Sequence, residues 1–259
     1  DLKRVKIPLP PLEEQKRIAA ILDKADAIRR SRKEAIRLTE ELLRSTFLDM
    51  FGEPVTNPQG WDVLKLGSQV DELKYGTNAK CSEFHKKEDI LVLRIPNIVE
   101  EKICWNDLKY AKLESSEVDK LLLKQGDLLF VRSNGNPDYI GRCALFEDKQ
   151  QRAVYASYLI RARLKPSTKL YPAFIRDIVS FPTFRSRLTK EARTTAGNYN
   201  INTQGLKSLK LICPPKEKQK AYLNFGEKLS GRLKTEHKHL DRSTDLFNSL
   251  LQKAFRGEL

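Results

Sequence analysis

Two stretches of the chain repeat apolar residues at helical spacing, and the stretch between them does not. Along residues 10–53, Ile18, Ile21, Leu22, Ala25, Ile28, Ala35, Leu38 and Leu42 recur at intervals of three, four and seven. Along residues 214–259, Leu229, Leu233, Leu240, Phe247, Leu250 and Ala254 keep a heptad-like spacing. Such spacing lays an apolar stripe along one side of a helix. Arg32, Thr39, Glu236 and Ser243 interrupt the stripes, and Gly226 and Gly231 weaken the start of the second helix. Each helix reaches roughly 38 to 40 residues, or about 55 to 60 Å. A helix that long and that polar on most faces needs a partner for its stripe, and the other helix is the nearest candidate. An antiparallel two-stranded coiled coil is therefore expected, with two amphipathic helices packed separately on a domain surface as the alternative.

The same phrase opens both helices. Residues 10–16 read PPLEEQK and residues 214–220 read PPKEKQK, so both fit Pro-Pro-x-Glu-x-Gln-Lys. Proline disfavours the helical region for the residue before it yet fits the first helical turn itself. Glu13, Glu14 and Glu217 then fall in the first turns, where carboxylates complement the positive end of the helix dipole. Upstream, Leu2, Lys3 and Lys6 align with Leu206, Lys207 and Lys210; downstream, Leu42, Leu43 and Phe47 align with Leu250, Leu251 and Phe255. The second copy is one helical turn longer. A helix duplicated on either side of an unrelated segment marks the helices as a frame and the middle as the carrier of specificity.

That middle, residues 54–205, reads as mixed α/β. Apolar runs rich in β-formers cover 90–95, 128–132, 143–146 and 155–164, separated by turn signals at 124–127 and 133–138. Helices are expected over 115–123 and over 172–192, the latter interrupted at Pro182. The expected organisation is a first helical copy over 1–53, an α/β globular domain over 54–205, and a second helical copy over 206–259.

Charge sharpens this picture by its placement. The chain carries a formal net charge of +14. Residues 1–53 hold 12 basic and 10 acidic side chains, residues 54–151 hold 14 and 16, residues 152–205 hold 10 and 2, and residues 206–259 hold 12 and 6. The second half of the middle segment is thus a basic block, a footprint for a polyanion and most commonly for nucleic acid; a merely soluble basic surface is the alternative. No apolar run approaches the roughly 18 residues of a membrane span, and no signal-peptide core opens the chain. Cys81, Cys104, Cys143 and Cys213 form no C-x-x-C, which predicts reduced thiols in a cytoplasmic protein. Met50 is the sole methionine, so residue 1 is not a translation start, and a fragment or processed chain is expected.

Three polar loops of the middle segment have the composition of readers. The first contains Tyr75, Thr77 and Lys80; the second Arg132, Ser133, Asn134 and Asn136; the third Arg193, Thr194, Thr195, Asn198, Tyr199 and Asn200, inside the basic block. Arginine pairs bidentately with guanine and asparagine with adenine, whereas Ser, Thr and Lys more often hold phosphate. Arg185 and Arg187 are expected to serve the phosphate backbone. Asn, Gly and Ser also build ordinary turns, and that reading stays open for each loop. Catalytic signatures are sparse. Pro137-Asp138 followed by Glu147-Asp148-Lys149 fits a metal-dependent nuclease pattern, but such a pattern arises often by chance. His85, His237 and His239 lack metal-ligand company, and neither an ATP-binding Gly-x-x-x-x-Gly-Lys-Ser/Thr loop nor an adenine-methyltransferase motif is present.

The repeated helix opening, the endings LLRSTFLDMFGEP and LLQKAFRGEL, and the segments GDLLFVRSNG, TTAGNYNIN and LKSLKLICPP together resemble the specificity subunit of type I restriction-modification systems. The resemblance covers essentially the whole chain. It implies a target recognition domain between two conserved helical regions, as in the C-terminal half of such a subunit. It further implies a non-catalytic chain that reads one half of a split site in double-stranded DNA. Its partners would be methyltransferase subunits and, through the assembled complex, restriction subunits, with self-association through the helices as a further possibility. S-adenosylmethionine, ATP and magnesium would belong to those partners. A nuclease domain and a coiled-coil scaffold without sequence-specific binding are the rival functions.

Overall fold

A computed structural model of the protein describes residues 10–148, 151–191, 193–195 and 198–259, with no account of the side chains of residues 191–198. The elements run α1 (Leu12–Phe51), β1 (Val63–Lys65), α2 (Leu66–Gln69), β2 (Val70–Tyr75), β3 (Ile90–Leu93), β4 (Ile98–Val99), β5 (Lys102–Ile103), β6 (Lys109–Ala111) and α3 (Ser115–Leu121). They continue with β7 (Leu128–Val131), β8 (Ser133–Asn134), β9 (Cys143–Leu145), β10 (Ala153–Tyr155), β11 (Leu159–Leu164), α4 (Pro172–Ser180), α5 (Pro182–Glu191), β12 (Arg193–Thr195) and β13 (Asn198–Asn200). Then come α6 (Thr203–Ser208), β14 (Lys210–Ile212) and α7 (Lys216–Arg256). Two compact units emerge, one ending at Met50 and resuming over Asn224–Leu259, the other Phe51–Leu223.

In the first unit the long helices meet along residues three and four apart. On α7, Leu229 and Leu233 are buried and Glu236, Leu240, Ser243, Phe247, Leu250 and Ala254 are half-buried, the stripe expected from the sequence together with its two interruptions. On α1 Ala25, Ile36, Phe47 and Phe51 are buried, and Ile18, Ile21, Leu22, Arg29, Arg32, Thr39 and Leu43 are half-buried. The expected stripe holds over Ile18, Ile21, Leu22 and Ala25 and is corrected beyond them, because Ile28, Ala35, Leu38 and Leu42 are exposed. Two of the polar residues that interrupt the stripes are matched across the pair, whereas the Thr39 and Ser243 hydroxyls donate to the Ala35 and His239 carbonyls of their own helices. Arg32 forms an ion pair with Glu236 at 3.2 Å, and the Arg29 guanidinium lies 4.6 Å from the Phe247 ring centroid. Arg17 donates to the Leu259 carbonyl at 2.7 Å. A Cβ on Gly226 would sit 3.3 Å from Leu43 Cδ1, so a small residue there admits close approach.

The second unit is built on strands that bury consecutive residues, the signature of strands covered on both faces. β3 (Ile-Leu-Val-Leu) and β7 (Leu-Leu-Phe-Val) are buried at all four positions. β3 pairs in parallel with β10 and antiparallel with β6. A second sheet, in the order β2–β11–β7–β9, is antiparallel throughout. Val118 and Leu121 of α3 join Phe146, Val154 and Leu159 in one apolar cluster between these strands. Burial of each such side chain contributes about 1.5 to 3 kcal/mol. α4 and α5 appear where expected, separated at Phe181-Pro182.

The single strand expected over 155–164 is two strands in two different sheets. The chain turns at Ala156, Ser157 and Tyr158, with Leu159 N–H donating to the Ala156 carbonyl at 2.9 Å. The unit also takes in residues beyond 205, since β14 pairs antiparallel with β1 and Leu206 is buried. Its start and end are joined by an aromatic triad of Phe51, Phe174 and Tyr222, with centroid separations of 5.0, 5.6 and 6.3 Å. Gln219 adds polar joints, accepting from Tyr171 N–H at 3.1 Å and donating to the Lys169 carbonyl at 3.1 Å and the Pro214 carbonyl at 2.8 Å. Gln15, at the same place in the first copy of the phrase, donates to the Pro10 carbonyl at 2.7 Å. No described helix is long and apolar enough to cross a membrane.

Candidate nucleic-acid interface

β7 is locked between β11 and β9 by its buried Leu-Leu-Phe-Val run and delivers Arg132 at its end. Three segments far apart in sequence converge there. The Arg132 N–H donates to the Tyr158 carbonyl at 2.9 Å, and its own carbonyl accepts from Ile201 N–H at 2.8 Å. Its guanidinium stacks 4.7 Å from the ring centroid of Tyr75, and Nη1 lies 3.4 Å from the Ser157 carbonyl. The Tyr75 hydroxyl in turn accepts from Thr203 N–H at 3.2 Å. Stacking on the ring orients a side chain that otherwise loses much rotamer freedom on ordering.

The second and third loops of the sequence reading are strands of one small sheet, in the order β12–β13–β8. Tyr199 lies opposite Asn134 and Asn200 opposite Ser133, while Arg193, Thr194 and Thr195 lie opposite Asn200, Tyr199 and Asn198. The side chains of Arg193, Thr194, Thr195 and Asn198 lie outside the described residues, as do Ala196 and Gly197 entirely. Asn134 Oδ1 accepts from Asn136 N–H at 2.8 Å, and Asn136 Oδ1 accepts from Asp138 N–H at 2.9 Å, so the two amides shape the turn that follows β8. Each amide oxygen keeps a second lone pair and each amide nitrogen two donors, the set needed to read an adenine edge.

Several candidates have other work within the protein. Thr77 is buried; its hydroxyl accepts from Ala79 N–H at 3.1 Å, and its backbone bonds to Tyr155 and Ser157 at 2.9 and 2.8 Å. It fixes the loop and offers no hydroxyl outward. Gly76 beside it is demanded by close approach, since a Cβ there would meet the Tyr155 carbonyl oxygen at 2.0 Å. Arg185 donates to the Asp138 carbonyl, which also accepts from Arg142 Nε at 3.0 Å. Burial first, and the neighbouring Arg142 charge second, pull Arg185 below the ordinary arginine range. It therefore braces the turn at 137–139 from within. Arg187 and Asn200 are likewise engaged inside the protein. Lys80 is exposed.

The basic block is also less free than its composition implies. Arg161 is buried and paired with Glu72, Arg163 pairs with Asp127 at 2.7 Å, and Arg176 pairs with Asp177 at 2.8 Å. Burial acts to raise the Glu72 carboxyl, but hydrogen bonds from Lys74 and Arg161 outweigh it and hold the group below the usual carboxylate range. These pairs consume part of the local positive charge in fixing the sheet. Among the described residues no group of three or more His, Cys, Asp or Glu side chains could hold a metal ion, and Lys149 of the nuclease-like pattern lies outside them. Tyr158, 59% exposed, lies beside Arg132 at the turn that breaks the strand expected over 155–164.

Comparison with known proteins agrees with the motifs. Residues 1–38 match the family described as Type I restriction modification DNA specificity domain. The chain is 32% identical over 272 residues to the type I restriction enzyme EcoKI specificity subunit of Escherichia coli (strain K12), covering 98% of the chain and 58% of that protein. It is 28% identical to the StySPI specificity subunit of Salmonella potsdam over the same shares of the two proteins. Among solved structures, the HsdS subunit from Thermoanaerobacter tengcongensis aligns with a TM-score of 0.55 at 21% identity, covering 98% of this chain and 60% of that one. A chain from a structure of the type I R-M system aligns with a TM-score of 0.63 at 19% identity, covering 98% and 62%. The resemblance to specificity subunits thus holds along nearly the whole chain, which spans about three-fifths of the length of these relatives.

Proposed function

We propose that the chain, similar from end to end to type I specificity subunits, is a non-catalytic DNA-recognition module that reads one half of a bipartite target and directs partner methyltransferase and restriction subunits to it in the cytoplasm. The observation that carries this reading is the convergence of Tyr75, Arg132, Asn134 and Tyr199 through backbone pairing and one cation–π stack. A guanidinium held over an aromatic ring, next to amides on an ordered turn, is the donor and acceptor set that discriminates base edges. Arg193, Thr194, Thr195 and Asn198 join it by their place in the same sheet. Arg132, Asn134 and Asn136 are assigned to bases and Lys80 to phosphate, with Thr77 and Arg185 positioning the loops.

The domain reading is a first helical region over 1–53, the recognition domain over 54–205 and a second helical region over 206–259. The long helices form an antiparallel coiled coil in this account. Support comes from the order of contacts, in which positions 17, 29, 32 and 43 of α1 meet positions 259, 247, 236 and 226 in turn. The exposed Ile28, Leu38 and Leu42 recur on one side of α1 and offer an apolar stripe for a methyltransferase subunit. Selection of bound sequences from a randomised duplex pool tests the function. The chain should enrich a short motif, and Arg132→Ala should relax one position by about 1 to 3 kcal/mol. Equal recovery of all sequences by the unaltered chain would dispose of the reading.

A further inference from the structure

The turn at Ala156, Ser157 and Tyr158 is gripped by two of the three reading segments. From one side, Thr77 N–H donates to the Tyr155 carbonyl at 2.9 Å and Ser157 N–H donates to the Thr77 carbonyl at 2.8 Å. From the other, Arg132 N–H donates to the Tyr158 carbonyl at 2.9 Å and Arg132 Nη1 approaches the Ser157 carbonyl at 3.4 Å. At its ends, Ala156 N–H donates to the Leu93 carbonyl and Leu159 N–H to the Ala156 carbonyl, each at 2.9 Å. The backbone is therefore fixed, yet the Tyr158 side chain stays 59% exposed, and its hydroxyl has no hydrogen-bond partner among the described residues. Phe84 is more exposed, at 79%, but its hydrogen bond runs only to Ser82 Oγ, and no described contact joins it to the reading segments.

We infer that Tyr158 is a specificity-determining residue whose ring packs against the C5 methyl group of a thymine at the base adjoining the one that Arg132 reads. This rests on the DNA-recognition reading above. An aromatic ring on an immobile backbone loses little further entropy on contact, and ordering only two side-chain torsions costs less than ordering a lysine. The thymine methyl is the apolar group a duplex displays in its major groove, so an exposed ring beside a base-reading arginine has one matching feature to meet there. A tyrosine hydroxyl also donates to phosphate oxygens, a contact that Tyr158→Phe removes while leaving the ring on the methyl group.

The test starts from the preferred duplex found by selection with the unaltered chain, in which each thymine is replaced singly by uracil. One replacement should weaken binding about fourfold, the worth of a single methylene-sized group leaving an apolar contact. Tyr158→Ala should be insensitive to that same replacement, while Tyr158→Phe should retain the sensitivity. With a C·G pair placed there, 5-methylcytosine should bind the unaltered chain more tightly than cytosine does. The inference is overturned if the preferred site contains no A·T pair, if no uracil replacement matters to the unaltered chain, or if Tyr158→Ala weakens every duplex evenly. A chain that selects no sequence at all would instead remove the recognition reading and this assignment with it; selection with no methyl effect removes this assignment alone.

Discussion

Gln15 and Gln219 hold the same place in the repeated phrase and make the same local bond, each donating to the carbonyl of the proline five residues earlier. Their surroundings differ. Gln219 is fully buried and also ties Tyr171 and Lys169, whereas Gln15 is half-buried and has only the local bond among those described. The difference separates two things that the sequence repeat conflates. Pro-Pro-x-Glu-x-Gln-Lys opens a helix in both places, with Pro11 and Pro215 carbonyls accepting from Gln15 and Gln219 N–H at 3.0 and 3.2 Å. What the same glutamine contributes beyond that depends on whether a neighbouring backbone meets its amide.

The largest expected effect therefore falls on the second copy. Gln219→Ala should cost about 2 to 3 kcal/mol, because it strands the Tyr171 N–H and the Pro214 carbonyl, and thermal unfolding would register it. The helices sharpen the contrast further. Gly231→Ala should stabilise by about 1 kcal/mol, as an added Cβ there meets nothing within 4 Å, whereas Gly226→Ala should gain less because that Cβ would press on Leu43. Denaturant titration of the two variants side by side compares them. Breaking the half-exposed Arg32–Glu236 pair with Glu236→Ala should cost about 0.5 to 1 kcal/mol, and a double-mutant cycle with Arg32→Ala isolates the coupling. Gln15→Ala should be the mildest, at about 0.5 kcal/mol. A Gln15 effect equal to that of Gln219 would erase the distinction.

Much of the frame was legible because heptad spacing and a repeated helix start are local signals. Where α1 was misread, the cause is that it carries two apolar stripes. One runs through Ala25 and Ile36, the other through Ile28, Leu38 and Leu42, and period alone does not choose between them. The partner chooses: Glu236 on α7 meets Arg32, so the stripe with arginines in it becomes the seam. In the α/β unit the buried runs at β3, β7 and β9 were visible as apolar blocks. The break at Ala156–Tyr158 was not, because it depends on Gly76 and Thr77 crossing from another strand. Composition likewise identified the polar loops but not their meeting at Arg132, nor that Thr77 and Arg185 face inward, since both follow from long-range pairing.

Mapping DNA methylation across a host genome that expresses the chain with a type I methyltransferase subunit decides whether the convergent surface around Arg132 reads DNA sequence. Methylation should be confined to one defined motif, with Arg132→Ala relaxing a position of that motif. Methylation that ignores sequence, or a motif unchanged by Arg132→Ala in a folded protein, would contradict that reading.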